Sequence, residues 1–272
     1  MMARRKSDNA KLKEKIGTGR GGNYTPWLKP HEFGSLGRTH RIRGWKVNRI
    51  YYFMSDLELY YFLLLQWNEN VIDIREQFPM NLIDTVRIAK DLGIKHPPHN
   101  KKSGNEVIMT TDFIITIKSN DGLKDIVRTV KSKKDLKNQR VLEKLSIEKE
   151  YFKNKGLNWG IVTEEQINKT KAKNIYLLYN DYFWFSNSKF NQNEIDYITY
   201  DLKNLLLKYN KDIIKSCRNL EKNNFWECGE GLNFFKYLIL KKVIIVNLNI
   251  KLNFNDMEIY FNEGNKNDSV TC

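Results

Sequence analysis

Apolar positions along this chain fall into a few readable periods. After "HRI" and "RIYYF", two short β-like runs, the segment from Ser55 carries Leu57, Tyr60, Tyr61 and Leu64 at helical spacing. Ser55 with Glu58 three residues on has the form of a capping box, which predicts a helix start there. "NVIDIREQF" predicts a strand ended by Pro79. "LIDTVRIAKDLGI" predicts a short helix stopped at Gly93, ahead of the rigid turn "KHPPH". "MTTDFIITIK" and "LKDIVRTVKS" read as the two strands of a hairpin. A long helix over "DLKNQRVLEKLSIEKEYFKNKG" is closed by Gly156, and "NWGIVTE" predicts a buried strand. Such an order of helices and strands indicates an α/β domain around a mixed sheet.

Composition shifts at "EEQINKTKAKN", Glu164 to Asn174, which predicts a junction between two domains, 1–168 and 169–272. Beyond it Ile195, Ile198, Leu202, Leu205 and Tyr209 mark one amphipathic helix, and Ile213, Ile214, Cys217 and Leu220 a second. "GEGLNFFKYLILKK" predicts a third, running into "VIIVNL", "IKLNF" and "MEIYF". Helices followed by a small β-meander predict a mainly helical, winged-helix-like C-terminal domain. The charged residues 1–22, ending in "GTGRGG", predict a basic arm, mobile or briefly helical.

Composition narrows the partners. With 272 residues, 41% of them hydrophobic, the chain can bury a real core in one or two domains. No apolar run reaches the roughly 18 residues that suggest a membrane span. "MMARRKSDNAKLKEK" is basic but lacks the apolar segment of a secretory signal. Cys217, Cys228 and Cys272 show no CxxC spacing, and His31, His40, His96 and His99 do not pair with them, so neither a disulfide framework nor a zinc site is expected. A reducing, cytoplasmic setting follows. The net charge of +14 is uneven: residues 1–49 hold thirteen Lys/Arg against three acids, a local excess of +10. That concentration suits a surface that neutralises phosphates, the alternative being a solvated basic face. Tyr24, Trp27, Phe33, Trp45, Tyr51, Tyr52 and Phe53 in this stretch read mostly as packing residues. Arg38, His40, Arg41 and Arg43 are the candidates for phosphate contact.

Candidate chemistry lies in the hairpin. With a two-residue loop at Asp121-Gly122, Asp112 lies opposite Lys131; with the loop at Asn120-Asp121 it faces Thr129, Lys131 being one diagonal step away. Asp112, Thr129 and Lys131 gather on one side either way. A plain salt bridge is one account of the pair. The other is hydrolytic chemistry on a phosphodiester, in which hard oxygen ligands hold divalent cations and a lysine offsets charge on the phosphate. The spacing Asp-x16-Thr-x-Lys resembles the Asp…(Glu/Gln)-x-Lys signature of restriction-endonuclease-like nucleases. Glu58 adds a carboxylate in the preceding helix, where helix capping is its other role. Glu148, on the stripe Val141–Leu145–Glu148–Phe152, is expected to face the sheet as an auxiliary group orienting Lys131 or a water, or else to be solvated at the stripe's edge. Glu76 is a further auxiliary acid, for which a structural ion pair with Arg75 is expected.

Whole blocks carry a further resemblance. "SDLELYYFLLLQWNENVIDIREQFP", "GIKHP", "MTTDF", "VKSKKDL" and "LEKLSIEKEYF…NWGIVTEEQIN" are similar, in order, to the blocks of the TnsA endonuclease family, nuclease subunits of heteromeric cut-and-paste transposases. "YTPWL" and "GRTHRI" resemble its N-terminal blocks, so the likeness covers about Tyr24 to Asn168 and fades beyond. It implies a restriction-endonuclease-like catalytic domain and Glu58, Asp112 and Lys131 as catalytic residues. It implies metal ligation by Glu58, Asp112 and the Val130 carbonyl, with one or two Mg²⁺ ions that Mn²⁺ replaces. Thr129 stands where the family commonly has Gln, which makes it a weaker ligand. The resemblance further implies cleavage at the 5′ ends of a transposon in double-stranded DNA. Its implied partners are a DDE-type, TnsB-like transposase and an AAA+, TnsC-like ATPase, on a bacterial nucleoid. The alternatives are a catalytically inactive DNA-binding or regulatory subunit, and a repair or junction nuclease of the same fold.

Overall fold

The computed structural model describes residues 6–30, 38–98, 106–186 and 190–262. Phe33, His31, His99 and Cys272, and parts of the basic arm and of the "KHPPH" turn, lie outside the described residues. The chain divides into two compact units, Met1–Lys169 and Thr170–Cys272.

In the first unit, α1 (Asp8–Lys13) and a 3₁₀ turn precede the antiparallel pair β1 (His40–Arg43) and β2 (Ile50–Phe53). Next come α2 (Asp56–Trp67), β3 (Val71–Pro79), α3 (Leu82–Asp91), β4 (Thr110–Ser119) and β5 (Gly122–Val130). The unit closes with α4 (Gln139–Asn154) and β6 (Asn158–Val162). The main sheet runs β3-β4-β5-β6, antiparallel at the first two contacts and parallel at the last, so it is a mixed sheet.

Both faces of this sheet are covered. Neighbouring residues of a strand point to opposite faces, and both Phe113 and Ile114 are buried. Ile114 and Val127 pack with Ile88, Ile147, Tyr151 and Phe152 of α3 and α4. Phe113 stacks on Phe53, which meets Phe62 of α2 and lies beside Tyr51. Full burial of each such side chain stabilises by about 1.5–3 kcal/mol, so these two layers hold α2, β4, β5 and α4 in fixed relation.

The hairpin adopts the second of its two expected registers. Ser119 pairs with Gly122 and Phe113 with Arg128, so the loop is Asn120-Asp121. The positive φ required by the turn, +106°, falls on Gly122, which has no side chain to oppose it.

Several expectations need correction. Of the two alternatives for the basic arm, the short helix holds at Asp8–Lys13 and the mobile arm does not: Lys11 is buried, Gly21 N–H donates to Asp73, and Arg20 pairs with Asp125 at 2.7 Å. The long helix starts at Gln139 under an Asn138 cap, since Asp135–Lys137 form a separate 3₁₀ turn. β6 pairs on one side only and is mostly half-exposed rather than buried.

The second unit is helical: α5 (Lys169–Ser186), α6 (Gln192–Lys208), α7 (Ile213–Asn224) and α8 (Glu230–Leu240). The predicted meander shrinks to β7 (Ile244–Ile245) and β8 (Tyr260–Phe261), with no strand over "IKLNF". α5 begins within the stretch expected to be a junction, where the two units also divide, and Ala172, Ile175, Leu178 and Tyr179 give it a buried stripe.

Candidate active site

α2 begins where Ser55, extended and non-helical, accepts the Glu58 N–H on its hydroxyl at 3.2 Å. The reciprocal half of a capping box is missing. The Glu58 carboxylate takes the Met54 N–H (3.1 Å), the Ser55 hydroxyl (2.9 Å) and the Gln77 amide (3.3 Å) instead of the Ser55 N–H. Glu58 is only 5% exposed. Burial first, then the charge of Asp112, pushes its carboxyl up to about 7, against the Met54 and Ser55 hydrogen bonds and the Lys131 charge.

Asp112 sits near the start of β4, beside the end of β5. Its Oδ2 accepts the Val130 N–H at 2.8 Å and the Lys131 ammonium at 2.9 Å. The same Lys131 Nζ donates to the Val130 carbonyl at 3.0 Å. Burial by itself lowers a lysine pKa, but the Asp112 charge and hydrogen bond, backed by Glu58 and Glu148, outweigh it and hold Lys131 above its ordinary range. Lys131 is therefore a cation at neutral pH. It touches two of the three expected ligand groups at once.

Asp112, Thr129, Lys131 and Glu148 line one cavity of about 450 Å³, walled on its apolar side by Ile108, Leu145 and others. Glu148 of α4 faces the sheet and is buried. It accepts the Thr129 hydroxyl in a very short hydrogen bond and the Trp159 indole N–H at 3.0 Å. Burial, then Asp112, raises its pKa, while Thr111, Thr129 and Trp159 oppose the rise. Glu148 thus hydrogen-bonds Thr129 and acts on Lys131 through its charge. The Thr129 hydroxyl, also 3.2 Å from that of Thr111, is committed to this buried chain.

Among the described residues no three His, Cys, Asp or Glu side chains converge as a metal cage. The donor set on offer is two carboxylates and a main-chain carbonyl, all hard oxygens, the chemistry that Mg²⁺ and Mn²⁺ prefer. Both Asp112 bonds fall on Oδ2, so Oδ1 is left without a partner among the described residues. Two nearby acids, one with its proton affinity raised by burial and then by the other, are a further sign of a site that favours added positive charge. These residues fit a divalent cation.

Other expected residues lie apart from this cluster. Glu76 is fully buried, and its partner is Arg49 (2.5 and 3.0 Å), not Arg75, which turns to Asp125 at 2.8 Å. β1 carries the basic candidates: His40 meets Asp56 at 2.6 Å and Arg43 meets Asn48 at 2.6 Å. Arg38 and Arg41 are exposed. Two neighbours of the cluster escaped sequence reasoning. Gln77 touches Glu58, and its only signal was a polar run, Arg75-Glu76-Gln77, ending an apolar strand. Lys144, one turn before Glu148, lines the cavity. Its pKa is lowered by burial and by the charges of Arg140 and Lys131.

Residues 68–164 match the family model described as "TnsA-like endonuclease N terminal", and residues 166–248 that described as "TnsA endonuclease C terminal". Asp112, Thr129, Val130, Lys131 and Glu148 fall within the first span, and Glu58 precedes it. The transposon Tn7 transposition protein TnsA of Escherichia coli is 43% identical over 170 residues. That alignment covers 62% of this chain and 60% of the relative, so the chain spans less than two thirds of the relative's length.

Proposed function

The chain belongs to the TnsA endonuclease family, and from that premise we propose that it is the Mg²⁺-dependent DNA endonuclease subunit of a transposase, cutting the 5′ ends of a transposon. The observation that carries the proposal is the joint contact of Lys131 Nζ with the Asp112 carboxylate and the Val130 carbonyl, beside the buried Glu58.

Glu58, Asp112 and the Val130 carbonyl would hold one or two Mg²⁺ ions, with Mn²⁺ able to substitute. Bound there, the cation supplies Lewis-acid charge that makes a water acidic and neutralises the phosphate. Lys131, kept protonated by Asp112, orients the attacking water and balances the negative charge that grows on the phosphoryl oxygens. Water adds to phosphorus as the bridging P–O bond breaks, leaving a phosphate end and a hydroxyl end. Glu148 acts one step back, holding Thr129 and the β5 end in place. Exposed Arg38 and Arg41 would contact DNA phosphates.

The mixed sheet flanked by α2 and by α3/α4 supports a restriction-endonuclease-like catalytic domain over 1–168. Helices α6–α8 followed by the β7–β8 pair support a winged-helix-like interaction domain over 169–272. The partners of the protein as a whole are double-stranded transposon ends, a DDE-type transposase and an AAA+ ATPase, in the bacterial cytoplasm at the nucleoid. Among the described residues no helix is long and apolar enough to cross a membrane.

A second reading, a DNA-binding regulatory subunit with no cleavage of its own, draws on Thr129, whose hydroxyl is turned to Glu148. Asp112→Ala separates the two when assayed on transposon-end DNA with the partner transposase present. The proposal expects lost cleavage with retained DNA binding. Wild-type cleavage by the variant would refute it.

A further inference from the structure

β3 carries a backbone anomaly at the edge of this cluster. Gln77 has φ +50°, a left-handed conformation that side-chain-bearing residues rarely take, and it does so inside a strand. Glu76 pairs with Phe113 and Phe78 with Thr111, so Gln77 falls opposite Asp112 across the β3–β4 ladder. Its carbonyl accepts the Trp27 N–H at 3.2 Å. Its side chain is buried, at 3% exposure, and bridges two elements. Oε1 accepts the Thr110 hydroxyl of β4 at 3.3 Å, which leaves Nε2 to donate to Glu58 Oε2 of α2 at 3.3 Å.

A strained residue persists only where its surroundings over-determine it, and such residues cluster at functional sites. A buried polar side chain whose two ends meet the two acid-bearing elements is a second, independent observation. We propose that Gln77 is a positioning residue that holds the Glu58 carboxylate at its working distance from Asp112. Its amide donor fixes one oxygen of Glu58 while that group awaits a cation. The inference rests on the metal-dependent reading above and extends it to a residue outside the expected ligand set. Groups that hydrogen-bond a metal-binding carboxylate commonly change metal affinity by 10- to 100-fold when removed.

The test is Mn²⁺ binding by the full chain, read as loss of the free-ion EPR signal, in wild type, Asp112→Ala, Gln77→Met and Gln77→Gly. Met keeps the length of the side chain and removes the amide. Gly also removes the amide but relieves the positive φ, so it decides the matter if the Met variant fails to fold. We expect wild type to bind Mn²⁺ and Asp112→Ala not to. Both Gln77 variants should bind about 10- to 100-fold more weakly. Wild-type affinity in a folded Gln77 variant would overturn the positioning role alone. Failure of wild type itself to bind Mn²⁺, or undiminished binding by Asp112→Ala, would overturn the metal-dependent reading and this inference with it.

Discussion

Glu58→Gln should make the metal-free protein more stable at alkaline pH and slightly less stable at acid pH. The carboxyl of Glu58 is raised from 4.5 to about 7 by burial and by Asp112. Below about pH 4.5 both folded and unfolded chains hold the proton, and folding pays no ionisation cost. As pH rises from there towards about 7 the unfolded chain loses its proton and the folded chain keeps it, so wild-type stability falls. Above about 7 the deficit is constant, at about 3 kcal/mol for two and a half pH units of raised affinity. Glutamine carries no charge and abolishes this trend. It also loses an acceptor for one of the Met54, Ser55 or Gln77 donors, at about 1 kcal/mol at every pH. The variant should therefore be about 1 kcal/mol weaker near pH 4.5 and about 2 kcal/mol stronger at pH 8. Urea titrations in EDTA, read by hydrogen exchange in β4 and β5 peptides, report the first unit apart from the second. Parallel stability curves for wild type and variant from pH 4.5 to 8 would refute the reasoning.

Three further outcomes follow from other contacts. Lys131→Met should slow cleavage about 100- to 1,000-fold, the usual effect of removing one charge-stabilising donor, while Mn²⁺ still binds by EPR; an unchanged cleavage rate would remove Lys131 from the chemistry. Arg49→Met leaves Glu76 buried without its partner, so urea denaturation should show a loss of about 3–5 kcal/mol, and a loss near zero would mean that Glu76 is protonated in the folded state. Replacing Arg38 and Arg41 together with Ala should lower the slope of log affinity for DNA against log salt by about two, one phosphate contact each; an identical slope would place DNA elsewhere.

How far the sequence reveals this molecule depends on the range of the interaction. Hairpin arithmetic is local, and it brings Asp112 and Lys131 to one strand end; their 2.9 Å contact follows from the register. The apolar periods of α2, β3 and α6 are likewise visible because each repeats along its own element. α5 escapes because its basic first turn, at the junction of the two units, hides the stripe Ala172, Ile175 and Tyr179. The Arg49–Glu76 pair joins positions 27 apart with no periodic signal, and neighbouring Arg75 was the obvious partner on sequence alone. Glycines suggested a mobile arm, yet Gly21 and Arg20 are pinned by Asp73 and Asp125, acids far away in sequence. Gln77 is hidden for the same reason. Nothing in "REQFP" announces that its backbone turns left-handed and its amide reaches α2.

Everything chemical here turns on whether the Asp112 end of the sheet takes up a cation. Anomalous diffraction from crystals of the full chain soaked in Mn²⁺ at neutral to alkaline pH, where Glu58 is ionised, asks this directly. The account predicts a manganese peak bound by the carboxylates of Asp112 and Glu58 and the carbonyl of Val130, with the Lys131 ammonium displaced from at least one of its two oxygens. A saturated crystal with no peak between these groups, and Lys131 still seated on Asp112 and Val130, would contradict it.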